Sequence, residues 1–264
     1  MSSSTTTNTQ KEGHSVQGKV VLITGANRGI GKALVEAFVE HGATKIYAAV
    51  RTLESAQPLV DKFAAAASVE IVPVYMDLSK PESITTTAAT ITDVDIVINN
   101  AGILTYTSPL HSDAVANMQQ EMQVNVYGFM TVAQAFAPLL KQKGKAAALC
   151  QINSVGSLRS HPAVATYAAT KAASYAITQS LRMELQPHGV HVMSVHPGPV
   201  MTDMVASNAA LQKHTVAAPE DVAKEVIRSL QAGEFLCFPD PLAKSLSQSY
   251  KPFAEYVFEQ GNMY

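Results

Sequence analysis

The chain is poor in the features that mark several protein classes. Its 264 residues include only two cysteines, Cys150 and Cys237, too few for a disulfide framework. Both fall in strand-like segments that the expected topology does not set side by side, so each reads as a small buried hydrophobe in a reducing compartment. No apolar run approaches the ~18 residues of a membrane-spanning helix. Charge is sparse: Asp, Glu, Lys and Arg make up 15 %, with 19 basic residues against 21 acidic ones and a formal net charge of −2. Without a basic block, neither nucleic acid nor an anionic membrane is the expected main partner. The eight histidines show no metal-ligand spacing such as His-Glu-x-x-His, so no metal is indicated. The N-terminal stretch is Ser/Thr-rich, with neither a secretory h-region nor an Arg-rich amphipathic pattern. Residues 1–15 therefore read as a disordered tail, 16–264 as one folded domain, and the cytoplasm as its location.

What is present is enough for a core: 47 % of the residues are apolar, and the length suits one large α/β domain. Strand-like runs are expected at residues 19–24, 45–50, 70–75, 95–99, 147–153, 189–195 and 235–238. Helical stretches lie between them at 29–41, 53–67, 81–91, 112–143, 164–186 and 219–231. The first of these helices carries Ile30, Ala33, Leu34, Ala37 and Phe38 on one face. Gly144, Pro187-His188-Gly189 and Gly233 end helices, because glycine caps them and proline cannot continue them. The strands are continuous apolar runs rather than alternating ones, as expected where both faces of a parallel sheet are covered. Strand–helix alternation along the whole chain predicts one doubly wound α/β sheet of the Rossmann type.

Two constellations carry chemistry. After the first strand comes Thr24-Gly25-Ala26-Asn27-Arg28-Gly29-Ile30-Gly31. Gly25, Gly29 and Gly31 suit a turn that bends sharply, admits a pyrophosphate to the backbone and packs a helix close to a strand; the helix N-terminus beyond offers free N–H groups. The second strand ends Ala48-Ala49-Val50-Arg51-Thr52, without the carboxylate that binds ribose hydroxyls in NAD sites. Arg51 and Arg28 instead suit a 2′-phosphate, which favours NADP(H). Further on, Tyr167 and Lys171 stand four residues apart, on one helical face, and Ser154 precedes the tyrosine by thirteen residues. A free tyrosine, with a pKa of ~10, shuttles protons poorly near neutrality. A nearby ammonium, with the positive charge of an oxidised nicotinamide, is expected to favour the phenolate, and Ser154 to orient the substrate oxygen.

These motifs, with Asn99-Asn100-Ala101-Gly102, Asn125 and Pro197-Gly198, resemble the single-domain branch of the short-chain dehydrogenase/reductase superfamily from about residue 19 to residue 238. The resemblance implies seven strands in the order 3-2-1-4-5-6-7. It implies that Asp77 contacts the adenine with Leu78 beside it, and that Asn100, Ala101 and Gly102 wall the adenosine pocket. Asn27 and Ile30 belong to the phosphate turn. Lys171 would bind the nicotinamide ribose, and Asn125, within one long helix, would hold a water linking Lys171 to solvent. Val200 and Thr202, after Pro197-Gly198, would hold the carboxamide, with pro-S hydride transfer.

The same likeness puts the substrate among Val155, Leu158, His161, Val164, Met201, Met204 and Val205, with Leu104 and Tyr106 opposite. This apolar, Met-rich lining suits ketones or aldehydes of moderate size. Arg159 reads as a surface residue and His161 as a loop residue. The segment between Thr202 and the helix near Pro219 is short, which suggests a small lid. Helix 164–186 carries Ala165, Ala168, Ala169, Ala172, Ala173 and Ala176 at many angles, and the family commonly assembles there, so a homodimer or homotetramer is expected. The aromatic C-terminus, with Tyr250, Phe253, Tyr256, Val257 and Phe258 at helix-like spacing, packs on its own subunit or a neighbour. The expected activity is NADPH-dependent reduction of a small-molecule carbonyl, reversibly alcohol oxidation. A 3-oxoacyl-thioester reductase and a non-catalytic NADP(H)-binding regulator are the alternatives.

Overall fold

The computed structural model describes residues 13–66, 68–202 and 216–259. Seven strands, β1 (Val20–Thr24), β2 (Lys45–Val50), β3 (Glu70–Tyr75), β4 (Ile96–Asn99), β5 (Ala148–Ile152), β6 (His191–Val195) and β7 (Leu236–Cys237), form one parallel sheet. Their order is β3-β2-β1-β4-β5-β6-β7. The central strands β1, β4 and β5 are buried almost throughout, which accounts for their uninterrupted apolar sequence. β3 is the edge strand, half-exposed, and accommodates Pro73 because its outer side needs no donor.

Helices cover both faces. On one lie α1 (Gly29–Glu40), α2 (Gln57–Phe63) and α7 (Pro219–Gln231), packed through Leu34, Phe38, Leu59, Val226 and Leu230. On the other lie α3 (Pro81–Thr90), α5 (Phe129–Lys143) and α6 (Ala165–Leu185), packed through Ile84, Phe129, Phe136 and Leu185. Cys150 and Cys237 are free and buried, on two strands separated by β6.

The structure corrects several expectations. Residues 112–143 are not one α-helix. They divide into α4 (Ala114–Met122), a π turn over Gln123–Gly128, and α5. A side chain at Gly128 would stand 2.5 Å from the Leu78 carbonyl, so the bulge falls where the helix is pressed onto the loop after β3. The helix expected at 53–67 is a 3-10 turn, Leu53–Ala56, followed by the shorter α2, which restarts with proline in its first turn. At the N-terminus, His14 already belongs to the fold: its N–H donates to the Leu230 carbonyl and its ring stacks on His191.

The C-terminal segment packs on its own subunit. Helix α8 (Pro241–Ala254) starts at Asp240, whose carboxylate caps the Ala243 N–H at 3.0 Å. Tyr250 on α8 donates to the Tyr175 hydroxyl at 3.0 Å and lies against Phe238. The side chain of Phe258 lies outside the described residues.

Candidate active site

β1 and β4 are neighbours whose following helices leave to opposite faces, so a crevice opens beyond their C-terminal ends. Thr24 organises it. Its hydroxyl accepts the N–H groups of Asn100 (2.9 Å) and Ala101 (3.0 Å) and donates to Asn99 Oδ1 at 3.3 Å. Asn100 answers by donating from Nδ2 to the carbonyls of Thr24 (2.9 Å) and Gly25 (3.3 Å). Asn100 thus braces the Gly-rich turn with its side chain, and Gly102 closes the loop at the other end. A side chain at Gly102 would stand 3.0 Å from Asn125 Oδ1 and 3.6 Å from Lys171 Nζ.

The glycines are there for space as much as for conformation. A Cβ on Gly31 would stand 2.0 Å from the Gly25 carbonyl oxygen, so no side chain fits between turn and helix. Gly29, with φ +51°, would meet Thr202 at 2.9 Å, which places Thr202 directly over the turn. At the start of α1, Arg28 makes no side-chain cap and no acid sits in the first turn. The opening N–H groups of a helix have no intrahelical partner, and no acid in this first turn offsets its positive dipole end. An uncapped helix start against a glycine cradle fits a dinucleotide pyrophosphate.

Arg28 and Arg51 are both exposed at this rim, and Asn27 and Ile30 are partly buried, Ile30 against the core. Burial raises the Asp77 carboxyl, but hydrogen bonds from Ser79 and the nearby charges of Lys80 and Arg51 hold it below the usual carboxylate range. Asp77 Oδ1 accepts from both the N–H and the hydroxyl of Ser79. Leu78 turns inward into the core.

At the end of β5, Ser154 is in extended conformation and caps the next turn, its Oγ accepting the Gly156 N–H at 3.0 Å. Tyr167 and Lys171 lie on α6 with Nζ 5.7 Å from the phenol ring centroid. The Tyr167 phenol is pushed above its ordinary value by burial and by the charges of Glu121 and Tyr106, while a side-chain hydrogen bond with Ser154 pulls it down. The structure therefore brings the phenol, the hydroxyl and the ammonium together. It does not show the expected lowering of the phenol by lysine. Lys171 is 3 % exposed, donates to the Ile152 carbonyl at 2.7 Å, and is itself lowered by burial to about 8.

Asn125 sits in the π turn, with its amide fully engaged. Oδ1 accepts the Ile103 N–H (2.9 Å), and Nδ2 donates to the Ile103 carbonyl (2.9 Å) and to Thr170 Oγ1 (3.0 Å). Its side chain ties the loop after β4 to α6 one residue from Lys171, which leaves no amide hydrogen for a water.

The Pro197-Gly198 segment is stitched to Ser154. The Pro197 carbonyl accepts the Val155 N–H at 2.9 Å and lies 3.4 Å from Ser154 Oγ. Val200 is buried and pairs with Ala217. Leu104, Tyr106, Val155, Leu158 and Val164 are partly buried, and Met201 is exposed. His161 caps the Ala163 N–H and Arg159 is exposed. Met204, Val205 and the lid expected between Thr202 and Pro219 lie wholly or mainly outside the described residues.

Sequence reasoning missed three residues. Asp240 accepts the Gly198 N–H at 2.6 Å and so fixes that loop to α8; the Asp-Pro pair before an apolar run was the available signal. His196 is fully buried under Ser154. Its Nδ1 lies 3.2 Å from the Ser154 carbonyl and 2.9 Å from Ser157 Oγ, and its Nε2 2.8 Å from Ser194 Oγ. Burial lowers it to about 4, against a favourable contact with the Ser154 backbone, so it is neutral at physiological pH. Glu121, the third, is a buried carboxyl on α4.

Comparisons with known proteins agree with this geometry. The chain is 33 % identical over 237 residues to 1-deoxy-11-beta-hydroxypentalenate dehydrogenase of Streptomyces exfoliatus, spanning 87 % of this chain and 86 % of that one. It is 29 % identical over 251 residues to 3-alpha-(or 20-beta)-hydroxysteroid dehydrogenase of Mycobacterium bovis, spanning 93 % and 90 %. Among solved structures, a short chain dehydrogenase from Burkholderia cenocepacia in complex with NADP superposes with a TM-score of 0.80 at 30 % identity, over 94 % of this chain and 96 % of that one. Residues 19–213, from the first strand past Thr202, match the short chain dehydrogenase family. With the sheet order, the glycine cradle and the Ser–Tyr–Lys cluster in place, the chain belongs to the short-chain dehydrogenase family of oxidoreductases.

Proposed function

We propose that the protein is an NADPH-dependent carbonyl reductase, and in reverse a secondary-alcohol dehydrogenase, with Tyr167 as general acid and base. The observation that carries this reading is the meeting of Tyr167, Ser154 and Lys171 beside the glycine cradle. Gly25, Asn27, Gly29, Ile30 and Gly31 would hold the pyrophosphate, Arg28 and Arg51 the 2′-phosphate. Asp77, Asn100, Ala101 and Gly102 would line the adenosine side, with Pro197, Gly198, Val200 and Thr202 at the nicotinamide. When bound, NADPH supplies the hydride.

The chain's own groups handle the proton. Ser154 Oγ orients the substrate oxygen, and Tyr167 gives that oxygen its proton on reduction or takes one from an alcohol on oxidation. Lys171, held by the Ile152 carbonyl, would bind the nicotinamide ribose, and the positive charge of the oxidised nicotinamide would favour the phenolate. Asn125 fixes the loop and the helix on either side of Lys171.

NADPH is preferred over NADH because arginine, not a carboxylate, follows β2, and the Burkholderia cenocepacia structure contains NADP. The apolar wall of Leu104, Tyr106 and Leu158 suits a hydrophobic ketone or aldehyde, in keeping with relatives that are dehydrogenases of a hydroxypentalenate and of hydroxysteroids. Ala169, Ala172 and Ala176 form an exposed small-residue face on α6, the expected contact in a homodimer or homotetramer. The test is a panel of ketones and aldehydes with NADPH, following loss of the reduced-nicotinamide absorbance. Turnover of at least one apolar ketone is expected; silence across the panel with intact NADPH binding sinks the assignment.

A further inference from the structure

Glu121 has no part in the scheme above, yet it sits at its centre. It is fully buried on α4. Oε1 accepts the Thr105 N–H at 2.6 Å, holding the cleft wall just before Tyr106. Oε2 has no hydrogen-bond partner, and neither does Thr166 Oγ1, equally buried and one residue before Tyr167. α4 packs along α6, so these two unmatched groups belong to the same interface.

An unpaired buried carboxyl oxygen is unfavourable, and a purely structural need at this point would be met by glutamine. The groups that reach Glu121 are Thr105 from the loop after β4 and Thr166 from α6, and its charge reaches the Tyr167 phenol. No cation is among them in the described residues. Burial raises the carboxyl, while the Thr105 amide and the polar side chains of Thr166 and Thr105 nearby, the former short of a formed hydrogen bond, oppose the rise. In its ionised form Glu121 makes the Tyr167 phenol harder to deprotonate.

We propose that Glu121 is a positioning residue for Tyr167: one buried carboxyl ties the cleft wall at Thr105 to α4, opposite the unmatched Thr166 hydroxyl in the first turn of α6, and sets a titratable charge within electrostatic reach of the phenol. This rests on Tyr167 being the acid–base. Glu121 ionises before the phenol as pH rises, so in alcohol oxidation Tyr167 loses its proton against a negative neighbour. Glutamine keeps an acceptor for the Thr105 N–H, adds a donor for Thr166 Oγ1, and carries no charge. Leucine removes both the tie and the charge.

Two measurements on the full chain test this. The first is the pH profile of kcat/KM for oxidation of cyclohexanol by NADP, with Tyr167→Phe as reference. Glu121→Gln should stay within about threefold of wild type at its optimum, with the acid limb moved to lower pH, and Glu121→Leu should lose about tenfold or more (a 1.4 kcal/mol effect is tenfold). The second needs no substrate: thermal unfolding at pH 5 and pH 9. A raised carboxyl withdraws stability as pH rises through its folded-state value, so Glu121→Gln should gain on wild type at pH 9 relative to pH 5. A superimposed pH profile, or a Tm difference unchanged between the two pH values, overturns the proposal. If Tyr167→Phe turns over normally, or no protein turns over cyclohexanol, it is the acid–base or substrate reading that fails, and the unfolding measurement still decides for or against the buried charge.

Discussion

Replacing Lys171 by methionine separates what the lysine does for chemistry from what it does to the fold. The side chain is 3 % exposed and its Nζ donates to the Ile152 carbonyl at 2.7 Å. Burial lowers it to about 8, against ~10.4 for a free lysine. At ~1.36 kcal/mol per pH unit, that gap corresponds to about 3 kcal/mol. The unfolded chain keeps the proton over the window in which the folded chain has lost it, so wild-type stability rises as pH climbs from about 8 toward ~10.4. Lys171→Met has no such gain, while every other titrating group is common to both proteins. The stability difference, variant minus wild type, should therefore be more favourable at pH 7 than at pH 10 by up to about 3 kcal/mol. For a chain of this size that is roughly 6–12 °C in Tm. The assay is thermal unfolding of the cofactor-free protein at both pH values. A Tm difference that is constant across the window refutes the burial argument; loss of turnover in the same variant is expected at every pH.

Three further outcomes follow from the geometry. Gly31→Ala drives a Cβ to 2.0 Å from the Gly25 carbonyl; backbone overpacking of this kind costs ~1–3 kcal/mol, and NADPH affinity, read by nucleotide fluorescence, should fall about tenfold or more. Asp240→Ala leaves the Gly198 and Ala243 N–H groups without their acceptor, a loss of ~1–3 kcal/mol for a buried unsatisfied donor plus ~1 kcal/mol for the cap. Calorimetry should show a lower Tm, and kinetics a raised KM for NADPH. Arg51→Ala should reduce the NADPH-over-NADH preference about tenfold or more, the worth of one charge-assisted contact at ~1.5–3 kcal/mol; an unchanged ratio of kcat/KM values removes Arg51 from 2′-phosphate recognition.

The sheet was legible because its strands are short apolar runs spaced by helices, and two of them, β2 and β3, begin and end where hydrophobic pattern placed them. The π turn at Gln123–Gly128 was not: an extra residue in a helix leaves no mark in a 3.6-residue period, and only the close approach of Gly128 to Leu78 explains its place. In the site, Tyr167, Lys171 and Ser154 were visible because one helix turn and one strand end define their spacing. His196 and Asp240 act through contacts made across the fold, with partners 42 residues away in sequence. Glu121 belongs to no motif, and the burial of a carboxyl depends on what packs over it.

The most direct test of the acid–base assignment is Tyr167→Phe, measured for both NADPH binding and carbonyl reduction. The variant should bind NADPH with wild-type affinity and reduce no substrate that the wild type reduces, because the ring remains and only the proton-bearing oxygen is gone. Reduction at wild-type rate by the phenylalanine variant contradicts the account.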